Sequence, residues 1–180
     1  MNKLISINKL ADIPNKYNGT PIELLIAYHN LKKQKILYKQ AKLLIGMCMD
    51  NRKHLDIPDN FAYIIRAGGA NLKYSEFNIS YAISVGQIHH IAIIGHNKCG
   101  MVNLRERKET FITDLVTNAG WTKDKATESF NHFAPIFEIG NEIEFTLSEV
   151  KRLQLKYPKI TVAPLFYNVD DNKLYLINDK

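Results

Sequence analysis

At 180 residues, 46% hydrophobic and 23% charged, the chain has the make-up of one ordinary globular domain with enough length for a full core, and it is not a disordered sequence. No uninterrupted apolar run reaches the length of a membrane helix, and Met1-Asn-Lys-Leu-Ile-Ser-Ile7 is too short for a secretory signal, so no membrane association is expected and the cytoplasm is the expected compartment. The net charge of +6 comes from 24 basic against 18 acidic residues, but the densest clusters, Lys32-Lys33-Gln34-Lys35 and Arg105-Glu106-Arg107-Lys108, are short, separated and without a nucleic-acid motif; a solvated face accounts for them, and no nucleic-acid partner is expected.

Residues 1–19 carry Pro14 and Gly19 and read as an arm. Thr20-Pro21 supplies a cap and a first-turn proline for a helix whose apolar face is Leu24, Leu25, Tyr28 and Leu31. His29 lies within it as a partly exposed residue without a role. A first strand over 42–48 is nearly all apolar, as a strand covered on both faces should be. A loop over 49–60 holds the turn residues Asp56-Ile-Pro-Asp59, and His54 on it is a conceivable proton shuttle. Phe61 to Arg66 reads as a second strand. Gly68-Gly69 follow it, either as a plain tight turn or as a backbone that approaches a ligand with positive φ.

A helix from Ser75-Glu76 to about Ile88 turns Ile79, Ala82, Ile83 and Gly86 to the sheet, and the order strand, helix, strand over 61–96 reads as a right-handed parallel crossover. His89-His90 project to opposite sides of a strand and are read as structural. Met101 to Lys108 continues as helix, and 109–139 is further helical packing, with Phe111, Leu115, Trp121, Phe130 and Phe133 read as core. The helix from about Glu142 to Tyr157 has acids in its first turn, bases in its last and Pro158 after it. Ile160–Val169 and Lys173–Ile177, joined through Asp170-Asp171-Asn172, read as a hairpin finishing the sheet edge. The fold class is therefore α/β, with a mostly parallel central sheet flanked by helices.

Two strands end on soft ligands. Leu43-Leu-Ile-Gly-Met47 runs into Cys48, and Ile91-Ala-Ile-Ile-Gly95 into His96, with Cys99 three residues on. Ligands bind outside the carboxyl ends of strands in open α/β sheets, so Cys48 and His96 meet there if the two strands are parallel neighbours. Cys99 falls on the turn expected to open the next helix, where backbone N–H groups and the helix dipole favour a thiolate. A Cys2His set suits zinc and leaves a fourth position for water or substrate. The residue types alone leave a second reading open, because free cysteine is also a small buried hydrophobe. Cys48-Met-Asp50-Asn-Arg52, an acid and a base straight after a cysteine, tips the balance toward chemistry.

Cys48-Met-Asp-Asn-Arg52 and His96-Asn-Lys-Cys-Gly100 together resemble the two signatures of the β-class carbonic anhydrases, Cys-x-Asp-x-Arg and His-x-x-Cys-Gly. Ile64-Ile-Arg-Ala-Gly-Gly69 is similar to the family's Arg-Asn-Ala-Gly segment, except that the Asn after the arginine is absent. The resemblance runs from about residue 20 to the end and implies a single domain over 1–180. In it, 1–37 is an arm and helix that pack on a partner subunit, giving a homodimer or a higher even oligomer.

The resemblance further implies one zinc ion per chain on Cys48, His96 and Cys99, with Asp50 and Arg52 as the catalytic pair. Arg66, Ala67, Gly68, Gly69 and Gly100 become substrate-binding or supporting residues. The implied activity is reversible hydration of carbon dioxide to bicarbonate by a metal-bound hydroxide: Asp50 orients the hydroxide, and Arg52 keeps Asp50 ionised and off the metal. In the family the same carboxylate also occupies the fourth metal position in an inactive state. The altered Arg66-Ala67-Gly68 segment keeps a zinc hydrolase of carbonyl sulfide or carbon disulfide as an alternative, and a non-catalytic zinc-binding relative as another.

Overall fold

The computed structural model describes residues 4–178. Its six-stranded sheet has the order β1-β6-β5-β4-β2-β3. In chain order the elements are β1 (Leu4–Ile5), α1 (Pro21–Leu31), β2 (Leu43–Met47), β3 (Ala62–Arg66), α2 (Glu76–Ser84), β4 (His90–His96), α3 (Lys108–Ala119), α4 (Lys123–Phe137), α5 (Glu142–Lys156), β5 (Thr161–Asn168) and β6 (Lys173–Ile177). β3, β2, β4 and β5 run parallel, while β6 and β1 are antiparallel to their neighbours. The expected hairpin forms, but β1 from the arm pairs outside β6 and is the true edge. Pro164 is tolerated inside β5 because pairing with β6 begins only at Leu165.

Period-2 alternation divides the core into two layers. Ala92 and Ile94 of β4 join Leu43, Ile45 and Met47 of β2 under α1, whereas Ile91 and Ile93 join Leu44 under α2 and α5. The fully buried β2 and β4 explain the near-continuous apolar runs in the sequence. α1 is buried within its own chain. Ile22, Leu25, Ile26 and Tyr28 are at most 1% exposed, and Ile7, Ile13 and Tyr17 of the arm pack into the same layer. The chain's own arm thus covers the apolar face of α1. His29 is also buried, not partly exposed: Asp56 N–H donates to its Nδ1 and its Nε2 lies 3.0 Å from the Asn172 carbonyl, so the ring ties the loop after β2 to the β5–β6 turn.

Two helical expectations are shortened. α2 stops at Ser84, because Gln87 takes φ +54° and turns the chain so that the Gly86 and Ile88 N–H groups donate back to the Tyr81 and Ala82 carbonyls. No helix continues over residues 101–103: Asn103 takes φ +52°, Val102 bridges to Ile139, and only a 3-10 turn at Leu104–Arg107 precedes α3. Among the described residues, no helix is long and apolar enough to cross a membrane.

Candidate metal centre

β2 and β4 pair in parallel, with Met47 opposite Ile94 as the last registered pair. The next step along each strand brings Cys48 beside Gly95, and His96 follows. The loop after β4 then folds Cys99 back until its Sγ is 4.0 Å from that of Cys48. Ligand atoms of Cys48, His96 and Cys99 lie within 4.8 Å of one another, and all three residues are buried. Two sulfurs on a tetrahedral zinc, each at about 2.3 Å, would be roughly 3.8 Å apart, so the observed spacing fits that ion. It is far too long for a disulfide.

The His96 ring supplies a second test. Its Nδ1 lies 2.9 Å from the Asn97 carbonyl, which fixes the proton there and leaves Nε2 as the lone-pair nitrogen. That Nε2 is buried without a hydrogen-bond partner, a costly arrangement that a metal ion would relieve. The residues present thus fit a metal of zinc's preferences. The metal-capable group contains no carboxylate, so Asp50 stands outside it.

The two thiols share charge unequally. Cys48 is pulled well below the ordinary thiol range, first by its hydrogen bond with Cys99, with further support from His96 and the backbone N–H groups of Asp50 and Gly69 against the opposing effect of burial. Cys99 is pushed up, because it shares its proton with Cys48 and because it is buried. Cys99 does not open a helix, contrary to the sequence expectation. Instead its N–H donates to Glu142 Oε1 at 3.3 Å, at the start of α5. That approach depends on Gly95, where a Cβ would stand 2.2 Å from Thr146 Oγ1 of α5.

Asp50 is held by Arg52. Arg52 Nε donates to Oδ1 at 3.0 Å, Nη2 to Oδ2 at 2.6 Å, and the Arg52 backbone N–H to Oδ1 at 2.9 Å. The guanidinium hydrogen bonds, ahead of every other influence, hold the carboxyl far below its usual range. Arg66 turns toward the β2 loop, donating to the carbonyls of Cys48, Asp50 and Lys53, so it braces the segment that carries Cys48 and Asp50. Ala67 N–H donates to Met47 O, and Gly69 adopts φ +63°, which aims its N–H at Cys48. At Gly100, next to Cys99, a Cβ would meet nothing within 4 Å. His54 is exposed on its loop.

An apolar cavity of about 400 Å³ opens beside the centre, lined by Met49, Ala67 and Gly68 on the site's side and by Phe111, Phe130 and Phe133 beyond them. Phe111, Phe130 and Phe133, read from the sequence as core, are cavity walls. The helical spacing of Phe130, Phe133 and Phe137 on α4 was the available signal. Lys53 and Glu142 were missed altogether, because one follows a run of loop residues and the other passes as an ordinary first-turn acid.

The carbonic anhydrase family model matches residues 47–172, and the chain belongs to the β-carbonic anhydrase family. A comparison with curated proteins finds no match. Among solved structures, β-carbonic anhydrase isoform I of Trichomonas vaginalis is similar at 18% identity and TM-score 0.65, over 83% of this chain and 91% of that one. Carbonic anhydrase from Streptococcus mutans is similar at 20% identity and TM-score 0.61, over 92% of this chain and 100% of that one. The apo form of a carbon disulfide hydrolase is similar at 19% identity and TM-score 0.57, over 78% and 80%. At these identities the likenesses establish the fold.

Proposed function

We propose that the protein is a zinc-dependent carbonic anhydrase that interconverts carbon dioxide and bicarbonate, with Cys48, His96 and Cys99 as metal ligands and Asp50 and Arg52 as the catalytic pair. The observation that carries this reading is the Asp50–Arg52 clamp at the mouth of the Cys2His set, with the carboxylate ionised and outside the ligand group. Zinc, when bound, supplies the Lewis acid that makes water a nucleophile at neutral pH.

The chain's own residues do the rest. Asp50, unable to take up a proton near neutrality, accepts a hydrogen bond from the attacking water and turns its lone pair toward the substrate carbon. Arg52 keeps both carboxylate oxygens occupied, so Asp50 stays where it can do so. Met49, Ala67 and Gly68 give a dry, apolar approach suited to a neutral, non-polar substrate. Arg66 and Gly69 hold the Cys48 loop in register. The buried, reduced thiols suit a cytoplasmic setting.

The apolar lining of the cavity also suits a second reading, hydrolysis of carbonyl sulfide or carbon disulfide, whose sulfur atoms are more polarisable and less strongly hydrated than oxygen. Zinc analysis and stopped-flow hydration on the same preparation test the first reading, and sulfide release from carbonyl sulfide tests the second. About one zinc per chain is expected. Full zinc occupancy in Cys99→Ser would refute the ligand set.

A homodimer or higher even oligomer belongs to the same proposal. Its support within the chain is the stretch after α1, where Leu37 is 95% exposed and Ile36 57%.

A further inference from the structure

Among the described residues, two buried side-chain nitrogens have no hydrogen-bond partner: His96 Nε2, which faces the metal position, and Lys53 Nζ. Lys53 is fully buried although His54 beside it is exposed, so the loop gives access to water that the lysine does not use. Its carboxylate partner is Asp50, whose Oδ1 lies 3.9 Å away, beyond hydrogen-bond reach. Asp50 already accepts from Arg52 through both oxygens. One carboxylate therefore faces two cations, and one positive charge at the centre is left without a counter-charge.

The ligand set does not supply that counter-charge. Two thiolates and a neutral imidazole carry two negative charges, which a divalent ion cancels. Burial, the strongest influence, pulls the Lys53 ammonium below the ordinary lysine range; the charges of Cys48, Asp50 and Cys99 favour the charged form against it, and Arg66 adds to the lowering. A buried ammonium without a hydrogen-bond partner is destabilising, and a methionine of similar length would fill the same space without that cost.

We propose that Lys53 is a positioning residue of this centre: a buried cation that draws an additional negative charge to the open metal position and attracts Asp50 alongside Arg52. The proposal rests on the metal-site reading above and extends it to the chemical class of ligand, a small monovalent anion such as the bicarbonate product. Lys53 acts through the field and through Asp50, without contact with substrate.

The test compares the full-length zinc-loaded protein with Lys53→Met and Lys53→Gln, using thiocyanate as the anion in calorimetric titration. Removing a unit charge within about 10 Å of the anion should weaken thiocyanate binding by roughly tenfold or more at low salt, with zinc content unchanged. The zinc-loaded Lys53→Met chain, in which the ion cancels the thiolate charges, should melt several degrees higher than the zinc-loaded wild type. Unchanged thiocyanate affinity in both variants overturns the proposal. So does a Lys53→Met chain that melts lower or fails to fold, because the ammonium would then be a structural group. A wild-type protein that binds zinc and thiocyanate yet hydrates no carbon dioxide would remove the proposed function and leave this comparison fully readable.

Discussion

Arg52 joins two loops through Asp50: its Nη2 donates both to Asp50 Oδ2 at 2.6 Å and to the Lys98 carbonyl at 2.9 Å. The segment after β2 and the segment after β4 are thus tied at the residue that orients the carboxylate. Lys98 is in turn paired with Asp170 at the β5–β6 turn, and Asn97 donates to the same carboxylate at 2.8 Å. Asp50→Asn breaks the charge and leaves the three ligands intact. Zinc should stay bound while activity falls by roughly 10²- to 10⁴-fold. Arg52→Ala should fail differently, since the released carboxylate can move onto the metal; X-ray absorption should then detect an added oxygen ligand from the protein.

The depressed pKa of Asp50 also makes a stability prediction. A carboxyl whose folded pKa lies below its unfolded value of about 3.9 stabilises the fold above that value, and the contribution is lost as pH falls toward the folded pKa. The stability difference between wild type and Asp50→Asn in urea melts should therefore be constant above about pH 5 and shrink progressively as pH falls below about 4 toward the folded pKa. A difference that does not shrink as pH falls would mean the effect is not the carboxylate's charge.

Gly95→Ala places a Cβ 2.2 Å from Thr146 Oγ1, and α5 must shift to admit it. Overpacking of this kind costs about 1–3 kcal/mol. The shift also moves Glu142 from the Cys99 N–H, so zinc affinity should fall with stability. Gly140→Ala, where a Cβ meets nothing within 4 Å, should stay within about 0.5 kcal/mol of wild type. Chemical denaturation of the two variants with and without chelator reads both effects.

Leu37 and Ile36 are placed in solvent on an otherwise polar stretch, and burying them requires another surface. Light scattering at micromolar concentration should give a dimer or an even multiple. Leu37→Asp should shift the distribution toward monomer without lowering the melting temperature of the isolated chain. A wild-type monomer would contradict the expectation.

How much of this was legible in the sequence depends on the range of each signal. β2 and β4 were readable because a strand buried on both faces has no polar alternation to confuse it, and the parallel pairing then brought Cys48 to His96. Asp50 and Arg52 were readable because they interact at a separation of two residues. The cover over α1 was not, since it comes from arm residues Ile7, Ile13 and Tyr17, whose spacing has no helical or strand period. Lys53 gave no signal: beside Arg52 and His54 it looks like one more surface charge, and only the tertiary fold turns it inward. Glu142 depends on Gly95, a contact between residues 47 apart in sequence that no local pattern encodes.

The central claim is that the Asp50-clamped centre turns water into a nucleophile toward carbon dioxide. Oxygen-18 exchange between labelled carbon dioxide and water, followed by mass spectrometry on zinc-loaded protein, measures that step directly. The account predicts depletion of label far faster than in buffer, with most of the acceleration lost in Asp50→Asn at unchanged zinc content. Zinc-loaded wild-type protein that depletes label no faster than buffer would contradict it.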